Sequence, residues 1–160
     1  MDWTIEPNQG LGPLHLGMTQ AQVAALPVMG RAGHVYRGSG GRVMEYRGPN
    51  LPLCEYHGGV LCRIGTGRHV DGVRFAGVDL YAARPLAVLR LLEARLGALT
   101  LCQEQVFVMA AGLCLDGFYD PLDHSIFDPA AEYHDERGVT LFAPAACGPA
   151  EEGHEALSFL

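Results

Sequence analysis

The chain has no lysine. Its eleven basic residues are all arginine, and eighteen acidic residues outnumber them, leaving a net charge of −7 over 160 residues. Phosphate contact requires a basic face, so this balance argues against nucleic acid and anionic membrane as partners and favours basic ones. Long apolar runs are missing too. No stretch approaches the roughly 20 residues of a membrane-spanning helix, and "MDWTIEPNQG" at the start has neither the basic nor the apolar segment of a secretory signal. The expectation is a cytoplasmic protein without membrane contact. Low-complexity tracts are absent, and with 49% hydrophobic and 18% charged residues the composition is that of a globular chain, not a disordered one.

Paired-cysteine motifs are also lacking. Cys54, Cys62, Cys102, Cys114 and Cys147 make an odd count with no CxxC, in a chain large enough to hold a core without staples. Most lie in apolar runs ("LPLCEY", "GVLCRI", "GLCLDG"), where Cys acts as a small core hydrophobe. They read as buried thiols in a reduced compartment.

What is present points to a single α+β domain over 1–160, a size that buries roughly 70% of the surface of its unfolded chain. "WTIEP" reads as a first strand. After the glycine-rich "NQGLGPLHLG", Thr19 is a good N-cap and Gln22, three residues on, completes a capping box; Val23 and Leu26 give the inward stripe of a short helix that ends by Pro27 and Gly30. From Arg31 to Leu80, β-branched and aromatic residues alternate between glycine clusters, the pattern of an antiparallel meander, with the clearest hairpin turn in "HGG" at 57–59. A second helix starts at Pro85 and ends at Gly97, its apolar face drawn from Leu86, Leu89, Leu92, Ala94 and Leu96 with Val88 beside it. Three more strand-like runs follow, "LTLCQEQ", "VFVMAAGLCLDGFY" and "GVTLFAPA". The two halves, 1–70 and 71–150, share an order of helix and then strands, which predicts two helices on one face of an antiparallel sheet and a duplicated architecture.

Motifs that carry chemistry are wanting. The glycines at 10, 12 and 17 match neither GxxxxGK[ST] nor GxGxxG, Pro13 removes an amide donor, and no lysine is available to reach a phosphate, so this segment reads as a backbone corner. Seven histidines supply no HExxH. His134 and Asp135 stand together without a helical setting, while His69 and Asp71 read as neighbours on one side of a strand. Ser39, Ser125 and Ser158 lack the GxSxG elbow. Catalytic residues, cofactor and metal are therefore all read as none.

One acidic insert stands out between Asp116 and Glu136. Asp116, Asp120, Asp123, Asp128, Glu132, Asp135 and Glu136 meet no arginine until Arg137 and interleave with Phe118, Tyr119, Phe127 and Tyr133. Carboxylates steer a basic partner and rings supply buried contact area, so Asp116, Phe118, Tyr119, Asp120, Asp123, Asp128, Glu132, Tyr133, Asp135 and Glu136 form the expected partner-binding surface.

The stretch "GLGPLHLGMTQAQV" resembles the GxGPxxLGMTxxxV opening of small bacterial domains that include immunity proteins encoded beside polymorphic or type VI secreted toxins. "FAGVDLY", "AAGLCLDG" and "GVTLFAP" extend that likeness from Gly10 to Pro144. "GMTQAQV" with "LPVMG" is similar to the helix start of small outer-membrane-assembly lipoproteins and β-lactamase-inhibitor-like domains, although "LPVMG" departs from the usual Leu-Gly-x-Pro exit. The resemblance implies a non-catalytic protein that binds a cognate, basic toxin. The alternatives are a structural or assembly module of the lipoprotein kind and a small enzyme or ligand-binding domain.

Overall fold

A computed structural model describes residues 1–131 and 134–160. Their elements run β1 (Trp3–Glu6), β2 (Gly10–Leu11), β3 (Leu14–His15), α1 (Gln20–Ala24), β4 (His34–Arg37), β5 (Val43–Tyr46), β6 (Leu53–His57), β7 (Val60–Gly67), β8 (Val73–Phe75), β9 (Val78–Asp79), α2 (Pro85–Leu96), β10 (Leu99–Cys102), β11 (Gln105–Val108), β12 (Leu113–Asp116), β13 (Tyr119–Asp120), β14 (Ser125–Ile126), β15 (Gly138–Phe142), α3 (Pro144–Cys147) and β16 (Glu155–Leu157). Mostly antiparallel sheet with three short helices, the class is α+β.

The glycine-rich opening turns a corner. Leu11 and Leu14 pair across a tight hairpin, and a Cβ on Gly10 would collide with the carbonyl of Leu14. Thr19 then caps α1: its hydroxyl accepts from the Gln22 amide at 3.2 Å while the Gln22 side chain accepts from the Thr19 amide at 2.9 Å, closing the predicted box. Below the helix, Glu45 of β5 accepts from Gln20 (3.3 Å) and Arg47 (3.1 Å), and Arg47 also donates to the Gly30 carbonyl. A buried ion pair thus ties the helix exit to the sheet.

Nine strands form the main sheet in the order β16-β10-β11-β12-β15-β7-β6-β5-β4. The predicted meander occupies β4 to β7 but stops at Gly67. Beyond it β8 and β9 join a second sheet, β3-β2-β1-β8-β9, in which β8 lies parallel to β1 (Trp3 opposite Val73). His69 and Asp71 fall in the connecting turn and not on a strand, which corrects their expected pairing. α2 spans the predicted residues and ends at Gly97, but its buried side chains are Pro85, Val88, Leu89 and Leu92; Ala94, assigned to the inner face, is exposed. At 100° per residue Val88 and Leu92 share a stripe that Ala94 leaves.

Val23 of α1 and Val88, Leu89 and Leu92 of α2 belong to one core cluster with Cys54, Ile64, Leu113, Leu115, Val139 and Leu141 of the main sheet. The sheet's opposite face differs along its width. Over the second half, α3 and the segment after it cover a small cluster of Cys102, Phe107, Cys114 and Phe142, so β12 reads apolar on both faces. Over the first half that face is open: Tyr36 is 54% and Met44 37% exposed, and edge strand β4 buries none of its four residues.

Two cysteines correct the expectation of free thiols throughout. Cys54, Cys102 and Cys114 are buried thiols, but Cys62 of β7 and Cys147 of α3 form a disulfide across a sequence separation of 85. It fastens α3 to the sheet next to the smaller of the two cavities described below. No helix of the described residues is long and apolar enough to cross a membrane.

Candidate functional site

Two cavities adjoin at one hairpin turn. β10 and β11 are joined by Gln103 and Glu104, with φ of 48° and 68°, between the paired residues Cys102 and Gln105. Positive φ at both central positions is the type I′ arrangement that Asn-Gly or Gly-Gly adopts freely. Non-glycine residues held there are strained by about 1–3 kcal/mol each, a feature that gathers at functional sites. Gln103 lines one cavity and Glu104 the other. A hydrogen bond of 3.3 Å from Gln105 to Asp116 lies between them.

The larger cavity, about 550 Å3, is an open cleft under the β13–β14 hairpin. Glu104, Asp116, Asp120, Asp123 and Glu136 line it, all exposed, and Leu122 is 81% exposed at the hairpin tip. Several acids also shape the loop. Asp120 accepts from the Leu122 amide (2.8 Å) and Asp128 from the Ala130 amide (3.0 Å), the side-chain-to-backbone turns that Asp favours, and Asp123 accepts from the Ser125 hydroxyl (2.6 Å). Tyr119 is half-buried, edge-on to Phe159 at 5.4 Å, with its hydroxyl 2.9 Å from His124 Nδ1.

The expected binding surface is therefore divided. Phe118 is fully buried and has no area to offer a partner, a correction with a clear cause: its ring packs against Tyr81 and lies 5.4 Å from the Arg137 guanidinium. Phe127 at 5.2 Å and Tyr81 at 5.7 Å complete the ring set around that cation. Asp135 is also engaged internally, accepting from Arg137 Nε at 2.9 Å and Nη2 at 2.8 Å, while Nη2 also donates to the Tyr81 carbonyl. These bonds hold the Asp135 carboxyl below its usual range. The rings and acid that read as a docking patch thus cage this chain's own arginine. Asp116, Asp120, Asp123, Asp128 and Glu136 remain at the surface. Glu132 and Tyr133 lie outside the described residues.

The smaller cavity, about 200 Å3, opens on the bare side of the main sheet and carries the opposite charge. Arg42 and Arg63 line it with Gln103, Gln105, Phe107 and the backbone from Cys147 to Ala150. Glu55 stands between the arginines, accepting from Arg42 at 2.6 Å and lying 3.7 Å from Arg63. Its far wall is fixed by the disulfide and by His154, whose ring Nε2 is hydrogen-bonded to the Ala150 carbonyl (2.9 Å) and whose Nδ1 is hydrogen-bonded to the Thr100 hydroxyl (2.8 Å). Nearby, burial and the Asp116 charge push the Cys114 thiol up to about 12, and Arg63 opposes them. Cys114 is an inert core thiol.

Sequence reasoning missed this second cavity, because its arginines come from β7 and the loop before β5 and meet only through register. One signal did exist: "CQEQ" joins two strand-like runs at two-residue hairpin spacing without the Gly or Asn such a turn favours. Among the described residues, no three His, Cys, Asp or Glu side chains come together as metal ligands. The chain matches no family model, no curated protein sequence and no solved structure.

Proposed function

We propose that this chain is a non-catalytic protein-binding domain, an immunity protein that neutralises a cognate basic toxin by direct contact. The carrying observation is the open cleft under the β13–β14 hairpin, where five exposed carboxylates surround a projecting apolar tip at Leu122. Such an arrangement attracts a cationic partner over distance and gives it an apolar contact on arrival. The buried Arg137 among Tyr81, Phe118 and Phe127 supports the reading, since a docking element gains affinity when its own side chains are already ordered.

The finer architecture belongs to the same proposal. α1 precedes the meander β4-β5-β6-β7, α2 precedes β10-β11-β12-β15, and the closing strands β7 and β15 pair with each other at the centre of the sheet. This parallel order supports two structural repeats, with both helices on the core side.

Co-expression with the gene immediately upstream, scored by host survival, tests the function: a toxic neighbour that this chain neutralises supports it, and a harmless one counts against it. Reversing Asp120, Asp123 and Asp128 to Arg is expected to weaken toxin binding by at least about tenfold, mainly through slower association, with folding intact. Unchanged affinity in calorimetry would move the interface elsewhere. A second reading, an envelope assembly module, draws on the Cys62–Cys147 disulfide, since such bonds persist in oxidising compartments. Host survival without export of this chain would separate the two.

A further inference from the structure

The geometry points to a carboxylate-binding site in the smaller cavity, with Arg63 as its principal donor and Arg42 as its second. Two guanidiniums face one carboxylate, Glu55, so one positive charge remains uncompensated in a chain of net charge −7. Arg63 lines the cavity with its side chain 34% exposed and its Nη1 3.7 Å from Glu55, beyond hydrogen-bond reach, while its Nε is enclosed by protein without a hydrogen-bond partner among the described residues, so the guanidinium offers its exposed Nη donors to the cavity. A guanidinium presents its donors in a planar fork that a carboxylate meets with two parallel bonds, and a buried N–H without an acceptor is the exception in folded proteins.

The surroundings are those of a built site. Gln103 adds an amide at the rim from a turn that is strained in holding it there. Phe107 forms an apolar wall where charge-assisted bonds are less weakened by water. The opposite wall, Cys147 to Ala150, is tied by the disulfide and by His154, so the cavity exists before a ligand arrives. Its volume suits a carboxylate with a few carbons and excludes a nucleotide. A free dicarboxylate and an Asp or Glu side chain on a partner protein share this chemistry. Binding here is independent of the acidic hairpin, whose own test stands if this one fails.

Titration of the whole protein with succinate, with blocked aspartate (N-acetyl-aspartate N-methylamide) and with the blocked asparagine counterpart decides the matter, followed by NMR at the Arg63 Nε–H and the Gln105 amide. Both carboxylates are expected to give saturable shifts and blocked asparagine none. Tighter binding of blocked aspartate marks a partner's side chain as the source, and tighter binding of succinate marks a free acid. Arg63→Gln should abolish the Gln105 response, and Arg42→Gln should weaken it at least threefold. Shifts that rise without saturating, an equal response to blocked asparagine, or a response surviving in Arg63→Gln each overturn the proposal. Arg42 is partly exposed, so its variant keeps the test decisive if Arg63→Gln fails to fold.

Discussion

Two hairpin turns in this molecule have the same backbone sign and opposite chemistry. Gly58 and Gly59 join β6 to β7 with φ of 62° and 82°, and open space surrounds the position of a Cβ on either. Gln103 and Glu104 join β10 to β11 with φ of 48° and 68°, so the second turn holds in two side-chain-bearing residues what the first holds in glycine. The first turn answers only to strand twist. The second sends one side chain toward the arginine cavity and the other toward the acidic cleft, and a pair of glycines would leave both unlined. Strain is thus retained, where glycine would relieve it, at the one turn that both proposed binding surfaces share.

The largest test of that contrast removes the fixed wall beside the second turn. Cys62→Ser with Cys147→Ser is expected to lower stability by about 2–5 kcal/mol in denaturant unfolding, because the bond closes a long loop in the unfolded chain. It should also broaden the NMR signals of residues 147–150 while leaving those at 57–60 unchanged. Making the first turn resemble the second is next: Gly58→Gln with Gly59→Glu should destabilise by about 2–3 kcal/mol, all of it backbone strain, since space is open. The reverse exchange, Gln103→Asn with Glu104→Gly, should stabilise by about 1–2 kcal/mol and yet weaken carboxylate binding. A thermal scan showing no gain would show that the second turn is not strained.

The smallest effect is one of pH. Asp135 has its folded value depressed by Arg137, so its contribution is complete above the ordinary carboxylate value near 4 and is lost as pH falls through the lower folded value. Unfolding of Asp135→Asn should therefore show a shallower loss of stability on acidification than the parent. Equal slopes would detach the Asp135–Arg137 pair from the hairpin's stability.

Local features were legible in the sequence because short-range chemistry sets them. The Thr19–Gln22 capping box, the Pro85 start and Gly97 end of α2, and the Gly58–Gly59 turn each depend on residues a few positions apart. Burial was less legible. Phe118 looked like an exposed ring within an acidic tract, and only the return of the chain at Arg137 encloses it. The disulfide was hidden for a like reason, since apolar neighbours around Cys62 describe a strand and say nothing of a helix 85 residues on. Arg42 and Arg63 carried no motif at all.

By itself the sequence determined the sign and the grammar of this protein. It set an excess of carboxylates gathered late in the chain, an α+β order of elements, and glycines placed where the backbone must turn, because composition and nearest-neighbour sterics act without reference to distant residues. Tertiary structure alone decided which charges meet. Strand register brought Arg42 and Arg63 to Glu55, and folding back of the insert wrapped Arg137 in rings, since Coulomb and packing forces depend on separations in space that sequence distance does not encode.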